Sequence, residues 1–190
     1  MDSIKKRFFL FLGCLIFLAS CSTISVRTDQ QTQAVSLPDG SIVLLNQNSE
    51  LEYQKDFSNR EVALRGEAFF KVQKAEEPFV VSTSNGLITV LGTSFNVKED
   101  DQQLEVEVET GSVELKVKDQ ISKLKRGESA VYNDAKGLFE KGKAEFKHHV
   151  WTDDLKDDLE EIGEEAKNSG KKIGKEFKKL GRKIKKEIKD

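Results

Sequence analysis

One stretch of this chain fits a single backbone geometry. Leu104-Glu105-Val106-Glu107-Val108-Glu109 alternates apolar and acidic residues without a break. A period of two puts every apolar side chain on one face of a strand and every carboxylate on the other, whereas a helix would scatter both kinds around its cylinder. Val113-Glu114-Leu115-Lys116-Val117 repeats the scheme. Short runs rich in β-branched and aromatic residues predict further strands at Ser41–Leu45, Val62–Leu64, Ala68–Val72, Phe79–Thr83, Leu87–Leu91, Phe95–Val97 and Ala130–Tyr132. Pro38-Asp39-Gly40, Ser84-Asn85-Gly86, Thr110-Gly111-Ser112 and Arg126-Gly127 supply turn chemistry between them, and Asn85-Gly86 between two apolar runs signals a hairpin. Residues 35–148 are therefore expected to form a mainly β domain. An antiparallel β-sandwich and a short solenoid-like stack of β-turns both satisfy the pattern. Phe70, Phe79, Phe95 and Val97 are expected in its core, Gly66, Gly92 and Gly111 at turns or bulges, and the row Glu105, Glu107 and Glu109 on a solvated face.

The N-terminus has a different logic. Lys5, Lys6 and Arg7 precede an uninterrupted apolar run of eleven residues, Phe8 to Leu18. That is too short for a bilayer, which takes about 20 apolar residues, and it suits the core of a signal peptide. The run ends in Leu18-Ala19-Ser20-Cys21, which resembles a lipobox. Residues 1–20 are thus expected to be a lipoprotein signal peptide, with the Cys21 thiolate taking the lipid. Cleavage would remove Cys14 and leave no second cysteine for a disulfide. Two or three acyl chains on one residue make a stable anchor. Ser22 rather than Asp after the lipid site resembles the sorting pattern for the outer membrane, so the chain is expected to face the periplasm from the bacterial cell envelope. Residues 21–34 are polar and read as a lipidated tether.

From residue 149 to 190 the period changes to three and four. Trp151, Leu155, Leu159, Ile162, Ala166, Ile173, Phe177, Leu180, Ile184 and Ile188 fall within an arc of about 100° on a helix. Thr152-Asp153-Asp154 offers an N-cap and an acidic first turn. A long amphipathic helix, continuous or gently kinked at Asn168-Ser169-Gly170, is expected; a hairpin at that breaker is the alternative. Its charges are segregated. Asp153 to Glu165 holds eight carboxylates and one lysine, and Lys167 to Asp190 holds eleven Lys and Arg against three acids. Lys172, Lys175, Lys178, Lys179, Arg182 and Lys183 are accordingly candidates for contact with anionic lipid, worth about 1 kcal/mol per basic residue near such a surface. The same stripe could instead pack on the β-domain or self-associate. Nucleic acid is not an expected partner, because lipid anchoring would hold the chain outside the cytoplasm.

Catalytic chemistry finds little purchase. The only histidines are the adjacent His148 and His149, whose side chains diverge on any regular element and need distant acids to hold a metal. Neither a phosphate-binding Gly-rich loop nor a nucleophile elbow occurs. A non-enzyme without cofactor is expected.

Six motifs then carry a resemblance. They are Leu37-Pro38-Asp39-Gly40-Ser41, Arg65-Gly66-Glu67-Ala68-Phe69-Phe70, Pro78-Phe79-Val80-Val81, Val90-Leu91-Gly92-Thr93-Ser94-Phe95-Asn96-Val97, Val108-Glu109-Thr110-Gly111-Ser112-Val113 and Leu124-Lys125-Arg126-Gly127-Glu128. In this order and spacing they resemble the FecR domain family. The resemblance implies a periplasmic β-domain that binds an envelope partner, such as a TonB-dependent transport or signalling component, in proteins that regulate extracytoplasmic-function sigma factors. Asp39 and Glu67 are the candidate partner-binding residues within the motifs. Only seven residues precede the apolar run, so a lipid-anchored binding module is expected in preference to a complete anti-sigma regulator. A membrane-active protein working through the basic helix is the other alternative.

Overall fold

The computed structural model describes residues 22–152. The expected signal peptide, Cys21, most of the expected C-terminal helix and its six candidate cations lie outside the described residues. Fourteen strands follow one another, beginning β1 (Thr23–Arg27), β2 (Gln33–Ser36), β3 (Ile42–Leu45), β4 (Glu50–Gln54), β5 (Glu61–Arg65), β6 (Glu67–Lys71) and β7 (Phe79–Ser82). The second seven are β8 (Leu87–Val90), β9 (Ser94–Glu99), β10 (Gln103–Thr110), β11 (Ser112–Val117), β12 (Gln120–Lys125), β13 (Glu128–Asn133) and β14 (Leu138–Lys143). A single helical turn, α1 (His149–Thr152), follows. Among the described residues no helix is long and apolar enough to cross a membrane.

The strands form two seven-stranded sheets. Sheet I runs β1-β4-β5-β7-β8-β11-β12 and sheet II runs β2-β3-β6-β9-β10-β13-β14. Both orders rise with the sequence, so the chain adds a strand or a pair to one sheet, then to the other. The two expected architectures thereby merge: two sheets enclose one core, and the chain progresses along them as a solenoid does. The expectation of a wholly antiparallel fold needs one correction. β5 and β7 pair in parallel, because a single strand in sheet II, β6, separates them, and one excursion reverses the chain twice.

Alternation works as the sequence predicts on the inner faces. Leu104, Val106 and Val108 of β10, and Val113, Leu115 and Val117 of β11, are all buried in the core, as are Phe70, Phe79, Phe95 and Val97. An aromatic chain crosses this core, Tyr53 on Phe57, Phe57 on Phe79, Phe79 on Phe70 and Phe70 on Phe95, with centroid spacings of 5.8, 6.0, 6.2 and 5.1 Å.

Residues 22–34 do not form the expected tether. Thr23-Ile24-Ser25-Val26-Arg27 pairs along its whole length with β4, and Gln33–Ser36 pairs with β3. The reason is a short period-two pattern with only two apolar residues. Ile24 and Val26 are half-buried while Thr23, Ser25 and Arg27 face outward, and Ser25 and Arg27 both donate to Glu50 Oε1 at 3.0 and 2.7 Å. The folded domain therefore begins about a dozen residues before position 35. The Asn85-Gly86 hairpin is present, pairing Ser82 with Leu87, but its connection is a four-residue loop in place of a two-residue turn. Thr83 holds it, its Oγ1 accepting from the N–H groups of Asn85 and Gly86 at 3.2 and 3.1 Å.

Gly66 links β5 to β6 with φ +88°, and a Cβ there would stand 2.5 Å from Ser49 Oγ and 2.9 Å from Ser49 Cβ. Ser49 cannot yield freely, because its Oγ accepts the Glu67 N–H at 2.9 Å. Gly111 also has positive φ, and Gly92 lies where an added Cβ would come 2.8 Å from Lys74 Cα. Gly66→Ala combines left-handed strain with overpacking, so it is expected to lower unfolding free energy by roughly 2–3 kcal/mol. Urea denaturation measures this; a loss below about 0.5 kcal/mol would mean that the loop relaxes freely.

Candidate functional site

The outer face of sheet II carries a row of side chains that crosses six strands in register. Ala34 pairs with Leu44, Leu44 with Phe69, Phe69 with Asn96, Asn96 with Glu107, and Glu107 with Ser129. The row grades from apolar at β2 and β3 to acidic and polar at β10 and β13. Two of its members are fed by consecutive apolar residues, Leu44-Leu45 and Phe69-Phe70. Such doublets put a large apolar side chain on each face of the sheet, and one of these faces needs cover from elsewhere.

The cover comes from the chain after β14. Residues 144–152 turn back over the sheet, starting with the Ala144 N–H bonded to Gly127 O at 2.9 Å. Glu107 is the anchor. Its Oε1 accepts from the backbone N–H groups of Glu145 at 2.7 Å and Phe146 at 3.2 Å. The His148 ring then stacks on Phe69, centroids 4.7 Å apart and planes 17° from parallel. Trp151 packs beside Leu44 and Phe69, and its Nε1 donates to Glu67 Oε1 at 3.3 Å. Thr152 Oγ1 closes the turn by donating to His148 O at 3.0 Å.

Glu107 is 4% exposed, so the expected solvated carboxylate row is corrected at its middle member. The alternation in β10 is real, but it reports only which face a residue takes. What covers that face arrives 38 residues later. Burial raises the pKa of Glu105, with the neighbouring Glu107 charge adding to the effect. Burial also lowers that of His148, with His149 pushing the same way.

The two candidate partner-binding residues inside the domain are held by internal donors, in separate networks. Asp39 accepts from the N–H and Oγ of Ser41, both at 2.8 Å, and pairs with the buried Arg60 through Nη2 at 2.8 Å. Glu67 accepts from Asn46 Nδ2 at 2.9 Å and Asn96 Nδ2 at 3.0 Å as well as from Trp151. Phe69, Glu107, His148 and Trp151, the residues that build the covered face, were not singled out from sequence as a group. The apolar doublets were the available signal.

Glu107→Ala leaves two backbone N–H groups without their charged acceptor. Hydrogen bonds to charged groups contribute about 1.5–3 kcal/mol each, so docking of residues 144–152 should weaken by about 2–3 kcal/mol. Trp151, the only tryptophan in the chain, reports it. Its emission is expected to move to the red and the amides of Glu145 and Phe146 to exchange faster. An unchanged Trp151 spectrum would contradict the anchoring role.

The comparisons agree with this architecture. Residues 22–114 match the sequence profile described as FecR protein. Two crystal structures of a candidate anti-sigma factor from Parabacteroides distasonis, at 1.65 and 2.50 Å resolution, are similar. Each is 33% identical, with TM-scores of 0.60 and 0.61, and the similarity covers 63% and 64% of this chain. The chain spans 59% and 60% of those proteins, less than two thirds of their length. No protein of curated function matches at a significant level. The family profile begins within the segment expected to be a tether, where the structure places β1, and it contains both Asp39 and Glu67. Residues 22–114, just under half of the chain, match the FecR family model and form the FecR-type domain of this protein.

Proposed function

We propose that this chain is an envelope-side regulatory module, held at a membrane by acyl chains on Cys21, whose FecR domain binds a protein partner of the cell envelope. A component of TonB-dependent transport or signalling is the partner class that the family points to. One observation carries the reading: a FecR match that runs from residue 22 to 114 begins immediately after the lipobox-like Leu18-Ala19-Ser20-Cys21. A domain that starts at the lipid site sits against the membrane surface with almost no spacer, within reach of proteins embedded there.

Metabolic labelling with a palmitate analogue, followed by cross-linking and capture from membranes, tests both halves. Label on the wild type but not on Cys21→Ala, together with recovery of a TonB-dependent protein, is the expected result. Absence of label would remove the anchor, and recovery of no envelope protein would remove the partner.

A second reading has its own support. The similar crystal structures belong to a candidate anti-sigma factor, and this chain would share that role if its N-terminus were retained unprocessed. Intact mass of the membrane-extracted protein separates the two. Loss of residues 1–20 with a lipid adduct supports the first, and an uncleaved chain supports the second.

A further inference from the structure

We propose that Glu109, His148 and His149 form a binding site for a divalent transition metal, with Zn²⁺ the ion that fits them best. One ligand atom from each residue lies within 4.8 Å of the others. His149 Nε2 and Glu109 Oε1 are 3.2 Å apart. Two ligands bound at about 2.0–2.1 Å in tetrahedral geometry stand about 3.3 Å from one another, so this edge of the site is already at its bound length. Drawing His148 into the same sphere takes a small shift of residues 147–149, which belong to a surface segment and not to a strand.

His148 supplies the independent observation. It is 1% exposed, yet neither of its ring nitrogens has a hydrogen-bond partner. The nearest acidic oxygen, Glu107 Oε2, stands 3.5 Å from Nδ1, beyond bonding range. A buried polar atom left in this way costs about 1–3 kcal/mol, and native structures leave few of them. A metal bond to one nitrogen, with Glu107 as the nearby acceptor for a ring N–H, removes the deficit; orientation of a ligating imidazole by a carboxylate is the usual arrangement.

Charge points the same way. Glu107 is buried and Glu109 half-buried within this patch, with Glu105 on the same face of β10. A bound dication offsets this accumulation of carboxylates. Two imidazoles and one carboxylate suit Zn²⁺ among the divalent ions, with a fourth position for water. The adjacent histidines converge because α1 begins at His149. Their rings lie 4.6 Å apart and nearly perpendicular, and the acid they need lies 40 residues away on β10. The ion would tie residues 147–149 to sheet II, making docking of this segment metal-dependent.

The test uses the full chain in detergent micelles, stripped of metal, titrated with Zn²⁺ by calorimetry and with Co²⁺ by visible absorption. The acidic segment Asp153 to Glu165 contributes weak binding to every variant alike, so differences between variants decide. The expected result is one Zn²⁺ per chain in excess of that background, weakened at least about tenfold by His149→Ala and by Glu109→Gln, with His149→Cys restoring it. Zn²⁺ should also shift Trp151 emission to the blue in the wild type and in His149→Cys, but not in His149→Ala or Glu109→Gln. Both substituted positions are partly exposed, so the variants should keep the wild-type circular dichroism. Identical Zn²⁺ isotherms for the wild type and His149→Ala, or a Co²⁺ spectrum unaltered by Glu109→Gln, would overturn the site. Neither result bears on the envelope partner.

Discussion

Arg60→Ala is expected to destabilise the protein by about 3–5 kcal/mol, the usual consequence of removing one partner from a buried ion pair. The guanidinium is 6% exposed and organises three segments. It donates to Asp39 Oδ2 through Nε at 3.0 Å and Nη2 at 2.8 Å, to Gln73 O at 2.8 Å, and to Glu77 O through Nη1. Its cationic carbon also lies 5.7 Å from the centre of the Phe79 ring. Alanine would strand two carbonyls and leave Asp39 a half-buried charge with only Ser41 to bond it. The same deletion would loosen the β2–β3 turn and the approach to β7 together. Arg60→Lys should recover only part of the loss, because a single ammonium cannot span a carboxylate and two carbonyls with fixed geometry. Urea unfolding gives the number: the midpoint should fall with the m-value unchanged. A loss under about 1 kcal/mol would show that solvent replaces these bonds without penalty. The result also bears on Asp39, since a weaker partner-binding signal in an Asp39 variant would first have to be separated from lost stability.

Nine strands could be read from the sequence because each carries its own pattern. β10 and β11 alternate strictly, and β3, β6, β7, β8 and β9 hold β-branched and aromatic runs. The strands that were missed have weak or misleading patterns. β1 and β4 contribute two apolar residues each, Ile24 and Val26, and Leu51 and Tyr53. In β12 the apolar Ile121 is 60% exposed while the polar Ser122 is buried, so the inward set is Ser122 and Leu124 and the hydrophobic pattern points partly the wrong way. β14 exposes Leu138 and half-buries only Phe139. These strands exist because neighbours in the sheets offer them hydrogen bonds, which a local period does not record. The covered face of sheet II escaped for a similar reason. Glu107 looks like its neighbours Glu105 and Glu109 in sequence, and only the return of residues 144–152 tells them apart. The motif Arg65-Gly66-Glu67-Ala68-Phe69-Phe70 shows how a family signature can be structural in all but its exposed first residue. Gly66 makes the left-handed link, Glu67 receives Asn46, Asn96 and Trp151, Ala68 and Phe70 enter the core, and Phe69 seats His148.

Phe70→Ala and Phe69→Ala should separate two levels of stability with one change of side chain made at adjacent positions. Phe70 is fully buried between the sheets, stacked 13° from parallel on Phe95 at 5.1 Å and edge-on to Phe79 of sheet I at 6.2 Å. It is the side chain through which the aromatic chain passes from one sheet to the other. Truncation leaves a cavity that strands on both sides are too constrained to fill, and buried Phe→Ala changes cost about 3–5 kcal/mol. Phe69 points the opposite way, 9% exposed beneath His148. Its loss removes the seat of residues 144–152 without opening the core, so a cost of about 1–3 kcal/mol is expected, confined to local opening. Thermal unfolding and hydrogen exchange distinguish the two outcomes. Phe70→Ala should lower the melting temperature sharply and weaken protection in β6, β7 and β9 together. Phe69→Ala should leave those strands protected, while Trp151 emission moves to the red and the amides of residues 145–152 exchange freely. If Phe69→Ala instead lowered protection throughout sheet I, the outer segment would be an integral part of the cooperative fold. The view of it as a separately docked cover over an intact two-sheet core would then be wrong.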